Sequence, residues 1–177
     1  MSLTDRLAVA DDLPALKSLM ALAFDRLQIP FLSAAQIAAS RSVMGLDTQL
    51  VSDGTYFLVE ADGVLAGCGG WSRRATLYGG DHSAPLRDDR LLDPAVDPAR
   101  LRAMYTHPDF TRRGVGLRIV ALCEDAARTA GFSRMELMAT LAGQPLYRRC
   151  GYEPLEQVSS APVDGVSVPL VRMGKAL

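Results

Sequence analysis

The sequence predicts a mixed α/β fold, a sandwich of helices around one central sheet, and three observations carry that prediction. A strand-like run at 100–107, a glycine-bearing turn, an apolar-periodic helix at 114–130 and a strand at 133–139 form a parallel crossover, which should be right-handed. Two strand-like runs, 55–61 and 64–72, flank Asp62-Gly63, a dipeptide suited to a two-residue primed turn, so they read as a hairpin. Upstream, residues 13–27 repeat apolar side chains on one helical face, which supplies a layer to cover the sheet.

Taken in order, residues 5–10 read as the first strand. Asp11 or Asp12 then caps a helix with Pro14 in its first turn. That helix, 13–27, turns Leu16, Leu19, Met20, Ala23 and Phe24 to one side. A second helix runs from Ser33 to about Met44 and ends near Gly45. After the hairpin, residues 73–98 hold Gly79-Gly80, Pro85, Pro94, Pro98 and many charges without a sustained period. A loop this long inside a compact domain is expected to be a lid, a binding loop or mobile. In helix 114–130, Ile119, Leu122, Cys123, Ala126, Ala127 and Ala130 share a face, Glu124 and Arg128 form an expected surface i,i+4 pair, and Gly131 is the stop. A short helix at 143–150 and strands near 151–159 and 165–173 complete the chain, which is expected to form one domain over 1–177.

Composition narrows the function. A hydrophobic fraction of 49% with 22% charged residues suits a soluble globular protein with a sizeable core. A net charge of −1 argues against a nucleic-acid partner held on a broad basic face. No apolar run approaches the ~18 residues of a membrane span, and the N-terminus lacks a signal peptide's apolar core. Cys68, Cys123 and Cys150 are odd in number and far apart, and with His82 and His107 as the only histidines they point to reduced thiols in a cytoplasmic protein, with no zinc site.

The most informative stretch is 101–118, Leu-Arg-Ala-Met-Tyr-Thr-His-Pro-Asp-Phe-Thr-Arg-Arg-Gly-Val-Gly-Leu-Arg. A strand stopping at Pro108, a basic glycine turn and a helix start place unpaired N–H groups and a positive dipole end together, which is an anion site. Gly114 and Gly116 are expected to let phosphate reach the backbone, and Arg112, Arg113 and Arg118 to match its charge. The spacing is not that of a P-loop, because no lysine or hydroxyl follows Gly116. A dinucleotide fingerprint would need glycine where Ile119 stands and would normally sit on the first strand.

Arg112-Arg113-Gly114-Val115-Gly116, after a strand ending His-Pro-Asp-Phe, resembles the acetyl-CoA pyrophosphate loop of the GCN5-related N-acetyltransferase (GNAT) superfamily, with Thr111 where that loop usually carries Gln or Arg. Leu146-Tyr147-Arg148-Arg149-Cys150-Gly151-Tyr152 resembles the family's Leu-Tyr-x-x-x-Gly-Phe/Tyr signature, at the right separation, and Val171–Lys175 looks like its last strand. The resemblance implies a GNAT-like mixed central sheet of about six or seven strands flanked by about four helices. It implies acetyl-CoA as acyl-donor cosubstrate without a metal, and direct acetyl transfer to an amine of a small molecule or a protein. Met104, Tyr105 and Thr106 would then present backbone to the pantetheine arm, and Arg112, Arg113, Gly114, Val115, Gly116 and Leu117 would wrap the pyrophosphate.

Tyr147 is the candidate general acid, because a phenol with pKa near ~10 is protonated at neutral pH and can donate to a developing thiolate. Thr140 stands where many members carry an asparagine that steadies the cofactor. For a general base the candidates are His82, Asp81 and Glu136, or a water chain; His107 is expected to shape the turn before Pro108, and Cys150 to pack before Gly151. Arg73-Arg74 is either a solvated strand end or a greeting for an acidic substrate. Expected partners are a small-molecule or peptide amine, with no nucleic acid and no membrane, and a homodimer is left open. The rival readings are a non-catalytic acyl-CoA-binding or sensor domain and a nucleotide-binding protein of the dinucleotide type.

Overall fold

A computed structural model describes all 177 residues. Its seven strands, β1 (Leu3–Leu7), β2 (Tyr56–Ala61), β3 (Val64–Ser72), β4 (Ala99–Thr106), β5 (Arg134–Thr140), β6 (Glu153–Ser159) and β7 (Pro169–Ala176), form one sheet in the order β1-β2-β3-β4-β5-β7-β6. Every neighbouring pair is antiparallel except β4–β5. The helices are α1 (Leu13–Leu27), α2 (Ala34–Val43), α3 (Thr48–Ser52), α4 (Val115–Thr129) and α5 (Gln144–Arg149). No helix is long and apolar enough to cross a membrane.

Alternation along β2 divides the core between the two faces of the sheet. Tyr56 and Leu58 join Leu16, Leu19 and Met20 of α1 on one face, while Val59 and Ala61 join Ile119, Cys123 and Ala127 of α4 on the other. A smaller cluster under α2 holds Leu32, Ala39, Val168 and Leu170. The hairpin turn is the expected one, with positive φ at Asp62 (49°) and Gly63 (82°). Helix α2 starts at Ser33 through a reciprocal capping box with Gln36.

Several elements depart from the sequence expectation. Strand β1 ends at Leu7, and Ala10–Asp12 form a 3₁₀ turn. Asp12 does not cap α1; its carboxylate takes both Arg6 guanidinium nitrogens (2.7 Å each) and the Val9 N–H (2.8 Å). Helix α3 was not legible as a periodic run because it is only five residues long; Asp47 starts it by accepting from Gln49 N–H. Glu124 is buried, and it binds Lys175 of β7 (2.9 Å) as well as Arg128, so the pair expected on the surface is part of the core edge.

Asp12 yields an acid-range expectation. The Arg6 hydrogen bonds, with help from Val9 N–H, lower its pKa from the ordinary 3.8 to about 2. Its stabilising contribution is therefore present above pH ~4 and lost as pH falls through about 2. Arg6→Ala should move the acid-unfolding midpoint to higher pH, by a small amount because solvent screens the pair. Acid titration followed by far-UV circular dichroism checks this; an unchanged midpoint contradicts it.

Glycines on β3 decide how closely α4 approaches. A Cβ at Gly67 would meet Val115 at 2.6 Å, and one at Gly69 would meet Ile119 at 2.7 Å, so only glycine lets the helix press on the strand there. That contact brings the start of α4 alongside the end of β4.

Candidate active site

Strands β4 and β5 pair at only two positions, Ala99 with Met135 and Arg100 with Glu136. Beyond them the strands part, and the opening leads into a cleft of about 790 Å³. His107 N–H donates to Ala66 O, so strand alternation turns the main chain of Tyr105 toward β3 and that of Met104 and Thr106 toward the opening. The Tyr105 side chain lines the cleft and packs on Phe24, ring centroids 5.6 Å apart. A bulge sits just upstream: Ala103 and Met104 together oppose Gly69, and Ala103 holds φ of 49°, a costly value for a residue with a Cβ. The buried Tyr56 hydroxyl donates to Ala103 O at 2.6 Å and helps hold the bulge.

The turn after β4 is organised by short local bonds. His107 Nδ1 accepts from Asp109 N–H, as expected of a turn-shaping histidine, and Thr111 Oγ1 donates to Pro108 O (3.0 Å). Arg112 (φ 60°) and Gly114 (φ 87°) then take left-handed conformations, and the main-chain amides of Arg112 through Leu117 donate to no protein acceptor. Six consecutive N–H groups without a protein partner stand at the start of a 15-residue helix, where the helix dipole is positive, and Arg112, Gly114, Gly116 and Leu117 of this run line the cleft.

The side chains of this run divide between the cleft and the packing around it. A Cβ on Gly114 would meet nothing within 4 Å, whereas one on Gly116 would strike Leu146 at 2.8 Å, so Gly116 is small to let α5 pack on α4. Val115 is buried in the core, and Leu117 lines the cleft. Arg112 also lines the cleft, while Arg113 lies over the Phe110 ring, 5.6 Å from its centroid. Arg118 pairs with Asp5 on β1 (2.5 Å), which takes it away from the expected anion cluster.

Tyr147 of α5 lines the same cleft, 8% exposed, edge-on to Tyr152 (6.1 Å) and against Gly143. Burial, with smaller contributions from Cys150 and Cys123, pushes its phenol above the ordinary value of 10, so it stays protonated across the neutral range. Thr140 Oγ1 accepts from Gly143 N–H (3.1 Å) and so shapes the turn that delivers α5.

None of the three candidate bases lines the cleft. Glu136 pairs with Arg100 and Arg172, and Asp81 accepts from the amide and hydroxyl of Thr48. His82 contacts Arg41 O through Nε2 and lines a neighbouring hollow of about 260 Å³. Arg73 lies over Trp71, Arg74 holds Asp53 with two bonds (2.7 and 2.9 Å), and neither lines the cleft. Cys150 is partly buried, and burial raises its thiol pKa.

The aperiodic stretch 73–98 does not hang free. Ala75 N–H bonds Arg90 O, Thr76 N–H bonds Asp88 O, and Ser83 Oγ donates to Val43 O. Arg102, 4% exposed, reaches from β4 to Asp47, 2% exposed, at 2.9 Å, and also donates to the carbonyls of Thr76 and Gly79. Arg87 closes on the same Asp47. The loop is thus clamped to the strand that carries the bulge. Sequence reasoning missed Asp47, Arg102 and Tyr56; the one available signal was a pair of charges, Arg100 and Arg102, two residues apart and so on one face of a strand start.

Comparison with known proteins agrees with this geometry. Residues 18–152, about three quarters of the chain, match the family described as Acetyltransferase (GNAT) family. Among solved structures, the chain is similar to a GCN5-related N-acetyltransferase from Rhodopseudomonas palustris (TM-score 0.71, 17% identity, covering 100% of this chain and 97% of that one). It is also similar to PaiA N-acetyltransferase from Thermoplasma acidophilum in complex with coenzyme A (0.66, 15%, 100% and 100%). A third is yncA from Salmonella typhimurium, solved with its cofactor acetyl-CoA (0.63, 19%, 99% and 94%). At these identities the likeness is one of fold. No curated protein is similar enough in sequence to count as a match.

Proposed function

Because the chain belongs to the GNAT family of N-acetyltransferases, we propose that it moves the acetyl group of acetyl-CoA directly to an amine, with Tyr147 as general acid. The observation that carries this reading is the run of free amides from Arg112 to Leu117 at one end of a cleft that Tyr147 also lines. A pyrophosphate fits those amides by the physics of a helix start, with Arg112 beside it. The main chain of Met104 and Thr106 faces the opening and offers a pantetheine arm the bonds that β5 does not take.

In the reaction, the nitrogen lone pair of the amine attacks the thioester carbon. The C–N bond forms as the C–S bond breaks, the sulfur takes the proton of the Tyr147 hydroxyl, and the surplus proton on nitrogen leaves to water, which restores the phenol. A protonated phenol at that position lowers the cost of the departing thiolate.

Acetyl-CoA at about 100 times its Kd should add ~2.7 kcal/mol by mass action, a melting shift of roughly 5–10 °C for a chain of this size. NAD and ATP at equal concentration should shift it much less. Gly114→Ala strains the left-handed turn without meeting a neighbour, so it should reduce the acetyl-CoA shift and spare the fold. Gly116→Val would be a poor probe, because it clashes with Leu146. No shift with saturating acetyl-CoA would contradict the reading.

A further inference from the structure

We infer that the acceptor is a weakly basic amine on an apolar, ring-sized body, uncharged at neutral pH, seated between the 28–33 turn and the Leu77–Gly79 limb of the long loop. The inference rests on the acetyl-transfer reading above and adds the chemistry of the substrate.

The walls of the cleft contain no aspartate, glutamate or histidine. Their only full charges are four arginines, Arg26, Arg102, Arg112 and Arg149. Arg102 is spent on Asp47 and two carbonyls and Arg112 stands beside the proposed pyrophosphate seat, so Arg26 and Arg149 are the charges left for an acceptor to meet. An alkylammonium ion entering here meets like charge and no counter-ion. It also meets no group able to take its proton, since the cleft's phenols, Tyr78, Tyr105 and Tyr147, are all shifted upward by burial. Asp25 and His82 lie in the neighbouring hollow, where Asp25 pairs with Arg41 and His82 contacts Arg41 O.

The remaining surface of the acceptor half is largely apolar, with one neutral polar group, Gln28, whose Oε1 is buried without a partner and can accept from an amine N–H. Phe24, Leu27, Phe31, Leu77, Tyr78 and Met138 line it, and Phe31 is 46% exposed at its edge. Such a site gains from burying a ring and pays nothing for a charge. An amine like that of lysine, pKa ~10.4, is neutral in only about one molecule in a thousand at pH ~7.4, whereas a weakly basic amine is already a nucleophile. With no base in the site, that difference passes directly into rate.

The test compares kcat/KM, by release of CoA thiol at saturating acetyl-CoA, for aniline and 4-aminobenzoate against spermidine, kanamycin and a peptide with an N-terminal alanine. The arylamines should exceed the polyamine and the aminoglycoside by at least ~100-fold, with a profile flat from about pH 6.5 to 8.5. His82→Gln should leave that profile unchanged, and Leu77→Asp should lower arylamine kcat/KM at least about tenfold by placing a carboxylate in the apolar wall. Preference for spermidine, kanamycin or the peptide overturns the inference, as does an acid limb that His82→Gln removes. Acetyl-CoA binding without transfer to either arylamine also overturns it, while leaving cofactor binding intact. Failure of acetyl-CoA to raise the melting temperature overturns the acetyl-transfer reading instead.

Discussion

Asp47→Ala should lower the free energy of unfolding by about 3–5 kcal/mol, the usual cost of stranding one partner of a buried ion pair. The Arg102 guanidinium sits 4% exposed and would lose its counter-charge while Arg87 remains close by, so like charges would face each other out of water. Loss of the α3 cap, where Asp47 accepts from Gln49 N–H, adds to the effect. Arg102→Met should cost less, because Arg87 stays to neutralise Asp47 and the new side chain is apolar. It also orphans the carbonyls of Thr76 and Gly79, so the loop should become the first site of limited proteolysis. Combining Asp47→Ala with Arg102→Met should cost well under the sum of the single losses. Urea unfolding with an unchanged m value measures all three, and additive losses would show that the two side chains are not coupled.

Tyr147→Phe should lower kcat by ~10²–10⁴-fold and leave the melting shift with acetyl-CoA nearly intact. The ring keeps its edge contact with Tyr152 and its place against Gly143, so packing is preserved and only the proton is lost. Because burial raises the phenol's pKa, wild-type kcat should show no alkaline loss from this group below about pH 10. A Phe variant with wild-type turnover, when chemistry limits the rate, would remove Tyr147 from the mechanism.

Much of this was visible in one dimension. The Asp62-Gly63 hairpin, the α1 stripe from Leu16 to Phe24 and the β4–α4–β5 unit follow from periodicity and turn chemistry, which are local. The anion turn was visible for the same reason: a strand stop, left-handed glycine and helix start lie within ten residues. What each side chain does there was not visible. Gly116 is small for Leu146, thirty residues on, and Arg118 is held by Asp5, more than a hundred residues back. That loop 73–98 is clamped was not legible, because its partners, Val43, Asp47, Asp53 and Arg102, lie on other elements.

The sequence by itself determined most of the elements, α3 excepted, their order, the glycine turn at the start of α4 and the placement of Tyr147 after a proline-opened turn, because backbone propensity and side-chain period act over a few residues. Only the tertiary structure decided that β4 and β5 pair at two positions and then part, that Ala103 bulges with its carbonyl held by Tyr56, and that no carboxylate or imidazole reaches the cleft. Each of these depends on which distant side chains meet once the sheet closes, and burial then settles whether a charge is paired, a phenol stays protonated or a wall stays apolar.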